Sequence, residues 1–146
     1  MIIKQPVERV FAFISDVERQ PDWVGAVQGV KDVSPGPVQE GSTYTLSLAF
    51  MGQAGDVQQI VTTLEPNRVY AQKSASGPVP AQTTFTVEPS EGGTLVRNVT
   101  EADDSNIPRL LRSMVTRNVN NQLKTDLAKL RELLESQGGP VESGGV

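Results

Sequence analysis

Near the amino terminus, apolar residues recur at intervals of three and four positions. Within residues 6–15 the recurring positions are Val7, Val10, Phe11 and Ile14. This spacing places them on one face of an amphipathic helix, and Pro6 is tolerated in a first helical turn. A second short helical segment is predicted over residues 17–23, with a break at Pro21 because proline disrupts a helix interior.

From residue 25 onward the pattern changes to short stretches rich in Val, Thr, Ser and Gln, separated by clusters of turn-forming residues. This arrangement is typical of antiparallel strands joined by hairpins. Apolar residues alternate most clearly at Tyr44, Leu46, Leu48 and Phe50, which gives a sheet one apolar face. The six predicted strands cover about 25–33, 42–51, 54–64, 69–75, 81–88 and 94–102.

The apolar face of such a sheet needs a cover, and only the last long segment can provide one. Ser105 or Asn106 can cap a helix there, and the glycine pair at 138–139 ends it. Pro108 fits its first turn, and the helix is expected to contain about 30 residues over roughly 45 Å. Its predicted apolar stripe consists of Leu111, Val115, Val119, Leu123, Leu127, Leu130 and Leu134.

Composition restricts the chemistry that this chain of 146 residues can perform. Cysteine and histidine are absent, which removes thiolate nucleophiles, imidazole bases, disulfides and the usual zinc ligands. No phosphate-binding loop, dinucleotide fingerprint or serine elbow occurs, so neither a metal nor a cofactor is expected. Residues 1–137 are expected to form a single domain, followed by a flexible tail over 138–146.

Charge and hydropathy bear on location and partners. The net charge of −4 disfavours binding to nucleic acid. No apolar run of 18 residues and no signal peptide are present, so integral membrane association is not expected and a cytoplasmic location is predicted.

Several motifs together point to a known family. They are Pro6-x-x-x-Val10-Phe11 with its continuation to Asp16, Pro21-Asp22-Trp23, residues 36–41, Leu64-Glu65-Pro66-Asn67-Arg68, Glu88-Pro89 with Gly92-Gly93-Thr94, and Leu123 with Asp126, Leu127 and Leu130. With them, the chain resembles the helix-grip fold of the START and birch pollen allergen superfamily, and most closely its polyketide cyclase/dehydrase-like branch, the SRPBCC proteins. The motifs identify the scaffold better than the activity.

The resemblance implies an α+β fold in which a curved antiparallel sheet of six to seven strands wraps around a long C-terminal helix. Two short helices follow the first strand, and a cavity lies between the sheet and the long helix. A full first strand is usual in the family, whereas only residues 1–4 are available here. Either the sheet has a short edge strand or the native chain begins upstream of Met1. A short edge leaves backbone groups unpaired, which would allow a weak homodimer.

Candidate ligand-binding residues come from the aromatic positions, from strand alternation and from polar interruptions of the helix stripe. Burying an unpaired amide costs about 1–3 kcal/mol, so Asn118 and Gln122 are expected to meet a ligand, water or polar groups of the sheet in a partly hollow interior. The alternative is that Gln122 and Asp126 lie at the margin and pair with each other or with Lys129. The complete candidate set is Trp23, Tyr44, Leu46, Phe50, Phe85, Asn98, Met114, Asn118 and Gln122.

The last strand has two possible orientations with different chemical consequences. One places Val96, Asn98 and Thr100 inward, which gives a neutral cavity. The other places Arg97 and Glu101 inward, about 13 Å apart. The neutral orientation is preferred because buried Arg and Glu are rare unless they are paired.

The leading functional hypothesis is binding of a hydrophobic or amphipathic small molecule such as a lipid, a polyketide or an isoprenoid-like compound. The alternative is an enzyme similar to polyketide cyclases or dehydratases, with Tyr44, Arg97 and Glu101 as catalytic candidates that move protons. A third hypothesis is a protein-interaction or stress-associated module.

Overall fold

The computed structural model describes residues 1–50, 52–74, 80–102 and 107–137. Strand β1 (Ile2–Ile3) precedes two short helices, α1 (Val7–Ser15) and α2 (Gln20–Trp23), with a 3-10 turn (Val17–Arg19) between them. Six longer strands follow: β2 (Val27–Lys31), β3 (Thr43–Phe50), β4 (Gln53–Glu65), β5 (Val69–Ser74), β6 (Ala81–Ser90) and β7 (Gly93–Ala102). A 3-10 turn (Arg109–Leu111) leads into the long helix α3 (Arg112–Gln137).

The strands form one antiparallel sheet in the order β1-β7-β6-β5-β4-β3-β2. Each pair from β2 to β7 is a neighbour in sequence, and β1 joins β7 at the far edge. Strand β4 contains an irregularity between Val61 and Thr63, and such bulges bend a strand and increase its twist. The predicted α+β architecture, a curved sheet with a long C-terminal helix and two short helices, is confirmed.

Two helix boundaries differ from the prediction. Pro21 lies in the first turn of α2 instead of breaking a helix, because a first helical turn does not use the N–H that proline lacks. Helix α3 has 26 residues, since the segment after Pro108 forms a 3-10 turn first. The predicted capping residues and the predicted tail lie outside the described residues. In the part of the chain that is described, no helix combines the length and the apolar character needed to cross a membrane.

The two-residue strand β1 is held firmly in spite of its length. Ile3 is completely buried, and the Val96 amide donates a hydrogen bond to the Met1 carbonyl at 2.8 Å. The Thr94 hydroxyl donates to the Gln5 carbonyl at 2.7 Å. These bonds fix the edge of the sheet at β1.

The hairpin between β6 and β7 approaches β1 closely at Gly93. A Cβ atom at this position would lie 2.1 Å from the carbonyl oxygen of Ile3. We therefore expect Gly93→Ala to displace β1 and to lower the free energy of unfolding by about 1–3 kcal/mol. Urea denaturation should show this loss. Gly29→Ala is the matched control, because nothing lies within 4 Å of the Cβ position there. Equal losses in the two variants would contradict the steric explanation.

Burial along α3 divides the helix into two halves. Leu127, Leu130 and Leu134 are buried in the core with residues of α1 and the sheet. Val115 and Val119 are only half-buried. Leu111, predicted to belong to the buried stripe, is exposed, because the 3-10 turn before α3 changes the angular position of that side chain. The solid core therefore lies under the C-terminal half of α3.

Candidate functional site

A cavity of about 640 Å³ lies between the inner face of the sheet and the N-terminal half of α3. Its roof is apolar and includes Val115, Val119 and Leu123. Its walls and floor come from α2 and from strands β2 to β7. Ligand-binding cavities of about 300–1,000 Å³ enclose small organic molecules, so the space is large enough to hold one.

The floor of the cavity consists of residues that point inward from successive strands. Gln72 of β5 lies opposite Thr83 of β6, and Thr83 lies opposite Thr100 of β7. The two threonine hydroxyls are 3.2 Å apart. Since adjacent strands are about 4.8 Å apart, these three residues form a polar row across the floor.

A buried cluster of two tyrosines and two glutamines connects α2 to the sheet. The Oε1 atom of Gln72 accepts hydrogen bonds from Gln20 Nε2 at 2.8 Å, from the Tyr70 hydroxyl at 3.0 Å and from the Tyr44 hydroxyl. Burial raises the pKa of Tyr44 to about 12, and burial together with Tyr44 raises the pKa of Tyr70. Both hydroxyls are therefore neutral donors at physiological pH and not bases.

The tyrosine cluster gives a direct prediction, because Tyr44 and Tyr70 are the two tyrosines of the chain. A raised pKa means that the folded state keeps protons that the unfolded state releases, so stability falls as pH rises above the ordinary value near 10. We expect no phenolate absorbance from the folded protein before pH reaches about 12 or the chain unfolds. Chain unfolded in guanidinium is the control and should titrate at the ordinary value. Phenolate absorbance at that ordinary pH in folded protein would contradict the buried cluster.

Asp126 is the buried carboxyl group of the site, with 5% of its surface exposed, and it lines the cavity. Its Oδ1 atom accepts hydrogen bonds from the Gly25 amide at 2.9 Å and from Gln122 Nε2 at 2.7 Å. Burial raises the pKa of Asp126, although the two hydrogen bonds oppose this shift. A side chain at residue 25 would collide with the Gln122 amide and so would displace the group that donates to Asp126.

Four of the predicted ligand-binding residues line the cavity: Trp23, Leu46, Phe85 and Asn98. The Trp23 and Phe85 rings meet edge to face with centroids 5.4 Å apart. Trp23 Nε1 and Asn98 Nδ2 are buried and lack a hydrogen-bond partner in the described structure. Leaving a buried donor unpaired costs about 1–3 kcal/mol, so each of these two donors lowers the stability of the folded protein.

The other predicted ligand-binding residues have different environments. Tyr44 is buried and contacts the lining residues Gln20 and Tyr70 through hydrogen bonds. Gln122 supports Asp126, which is the pairing that the alternative interpretation expected. The side chain of Phe50 lies outside the described part of the structure.

Met114 and Asn118 do not line the cavity. Met114 is 37% exposed, and the Asn118 amide donates to the Met114 carbonyl of its own helix at 2.9 Å. The reason is the rotation of α3, which turns Val115 and Val119 toward the sheet and moves each preceding residue about 100° away. Met114 and Asn118, both predicted to line the cavity, therefore lie outside it.

Arg97 and Glu101 lie on the outer face of β7, so the proposed charge pair does not line the cavity. Arg97 Nη1 lies 3.2 Å from the Glu88 carboxylate, with both side chains more than half exposed. Glu101 is also exposed. The inner face of β7 instead carries Val96, which is buried, together with Asn98 and Thr100.

Several lining residues were not among the predicted site residues: Gln20, Gln59, Tyr70, Gln72, Thr83 and Asp126. Strand alternation could have identified Gln59, which lies between the inward-facing Val57 and Val61. The same rule applies to Gln72 once Tyr70 is placed inward. Gln20 gives no local signal, because its partner Gln72 is 52 residues away in the chain.

Comparisons with known proteins agree with this architecture. The sequence profile of the family described as polyketide cyclase/dehydrase and lipid transport matches residues 1–135. No curated protein matches the chain in sequence. Two similar solved structures illustrate the fold. The Zhui aromatase/cyclase from Streptomyces sp. R1128 has a TM-score of 0.79 and 17% identity, and the match covers 100% of this chain and 95% of that one. A START superfamily protein from Mycobacterium smegmatis has a TM-score of 0.76 and 18% identity, with 94% of each chain covered.

At such identities the structural matches show the fold, whereas the profile match spans nearly the whole chain. The chain therefore belongs to the polyketide cyclase/dehydrase and lipid transport family and has the START-like helix-grip fold.

Proposed function

We propose that this protein binds a hydrophobic or amphipathic small molecule in the cavity beneath α3. The observation that carries the proposal is the cavity itself, about 640 Å³ in volume with a largely apolar lining. The polar row of Gln72, Thr83 and Thr100 across its floor supports the proposal, because these side chains line the cavity within an otherwise largely apolar wall. Polar groups in a mainly apolar cavity are typical of ligand sites, where they orient the ligand.

Binding is favoured over catalysis because the three catalytic candidates do not converge. Arg97 and Glu101 lie outside the cavity, and the Tyr44 hydroxyl is fully engaged within the buried cluster. A general base or acid must reach the reacting atom through at most one water, and none of these three residues lines the cavity. The structural similarity to the Streptomyces aromatase/cyclase therefore supports a common scaffold, and the proposed activity is binding of a small molecule within that scaffold.

The proposal can be tested by native mass spectrometry of freshly purified protein, with a parallel sample denatured and extracted with organic solvent. We expect either a small apolar mass that leaves on unfolding or, for empty protein, saturable binding of the neutral fluorophore pyrene. If the protein carries no copurified mass and also shows no saturable binding of pyrene, the proposed function is contradicted.

A further inference from the structure

One polar side chain in the cavity is both deeply buried and unpartnered. Gln59 of β4 is 6% exposed and lines the cavity. Its side chain makes no hydrogen bond to any described residue, and its amide atoms are not among the side-chain atoms sealed from solvent. The Gln59 amide therefore borders the open space of the cavity, with a donor and an acceptor unused.

The position of Gln59 extends the polar row described above. Gln59 lies opposite Ser74 in the pairing of β4 with β5, and the Ser74 hydroxyl is already used by the backbone of Ala81. The Gln72 amide oxygen is likewise occupied within the tyrosine cluster. The Gln72 amide nitrogen donates to Gln20 Oε1 at 3.5 Å. Among these neighbours, Gln59 is thus the residue whose side chain makes no hydrogen bond to a described residue and keeps both donor and acceptor for a bound molecule.

The charges of the lining residues limit which chemical groups of a bound molecule can lie beside Gln59. The described lining residues of the main cavity include Asp56 and Asp126 but no lysine or arginine. Arg112 lines only the smaller adjoining pocket of about 240 Å³ at the beginning of α3. A carboxylate or phosphate at the sheet floor would therefore be desolvated without a cation, which is highly unfavourable.

We infer that the ligand carries an uncharged hydroxyl or carbonyl group at its sheet-facing edge, and that Gln59 is the specificity-determining residue that binds this group. The remaining surface of the ligand would be apolar and would pack under Val115 and Val119, which line the roof. This inference rests on the proposed function and narrows it.

The first experiment compares pyrene with hydroxypyrene, which differ only by one hydroxyl group, in wild type and in Gln59→Met. Wild type should bind hydroxypyrene roughly 5- to 10-fold more tightly than pyrene, the usual gain from one satisfied hydrogen bond. Methionine keeps the length of the side chain without the amide, so the variant should lose this preference and keep its affinity for pyrene. It should also be at least as stable as wild type, because no hydrogen bond within the protein is lost.

Gln58→Met is the matched control, since Gln58 is the neighbouring glutamine on the exposed face of β4, and it should keep the preference for hydroxypyrene. An equal change of both affinities in Gln59→Met, or a preserved preference, would overturn the inference while leaving the proposed function in place. Failure of both fluorophores to bind wild type that carries no copurified ligand would contradict the proposed function and this inference together.

The second experiment tests the requirement for an uncharged group. Arg112→Ala removes the cation of the adjoining pocket, and in this variant pyrenecarboxylate should bind at least about tenfold more weakly than hydroxypyrene. Comparable affinities for the two compounds in Arg112→Ala would overturn the assignment of an uncharged group to the sheet-facing edge.

Discussion

Val119→Trp should abolish high-affinity binding of pyrene while the protein remains folded. Val119 lines the cavity from its apolar roof, so the indole ring extends into the space that the ligand needs. The side chain is only half-buried in the wild type, and the cavity can accept the added volume without the strain that overpacking produces in a solid core. We expect at least about a tenfold loss of affinity, equivalent to about 1.4 kcal/mol, in a fluorescence titration.

Val99→Trp provides the matched control for this experiment. Val99 is 57% exposed on the outer face of β7, so the same substitution there leaves the cavity unchanged. Circular dichroism of both variants establishes that they are folded. If Val119→Trp binds pyrene as wild type does, the cavity beneath α3 is not the binding site.

Leu130→Ala should destabilise the protein more than any other substitution considered for α3. Leu130 is completely buried in the core, where removal of a leucine side chain leaves a void and costs about 2–5 kcal/mol. Leu123 lies seven positions earlier on the same helix but borders the ligand cavity. Leu123→Ala therefore removes fewer packing contacts and is expected to cost clearly less. Urea denaturation of the two variants measures the difference directly.

Because the two substitutions are identical and lie on one helix, differences in helix propensity cancel between them. Equal losses of stability at Leu130 and Leu123 would show that the two halves of α3 are equally packed. That result would contradict a hollow interior beneath the N-terminal half.

Much of the fold follows from local patterns. The alternation of Tyr44, Leu46 and Leu48 is sufficient to assign β3 and its apolar face, because side chains alternate in any strand. The same rule, combined with the cost of burying unpaired charges, predicted that Asn98 and not Arg97 would face inward. Pro21 was misassigned because one local rule permits proline at a helix start and another forbids it in the interior, and sequence alone did not locate the start.

The cavity lining was less predictable because it depends on contacts between distant segments. The apolar stripe of α3 covers a wide angle, so positions at its margin, such as Met114 and Asn118, face the sheet or solvent according to the rotation of the helix. That rotation is determined by packing against the sheet and by the bond from Gly25 to Asp126. The hydrogen-bond partners of Gln20 likewise depend on how α2 docks on β3 and β5.

The uneven burial of α3 also determines how its backbone amides exchange hydrogen with solvent. Amides near Leu130 and Leu134 lie in the solid core, so we expect them to exchange only when the whole domain unfolds. Amides near Val115 and Val119 lie over the cavity, where few contacts oppose a local opening that leaves the core intact. We therefore expect the roof of the cavity to be less protected than the C-terminal half of α3, which would let a bound molecule enter or leave without global unfolding.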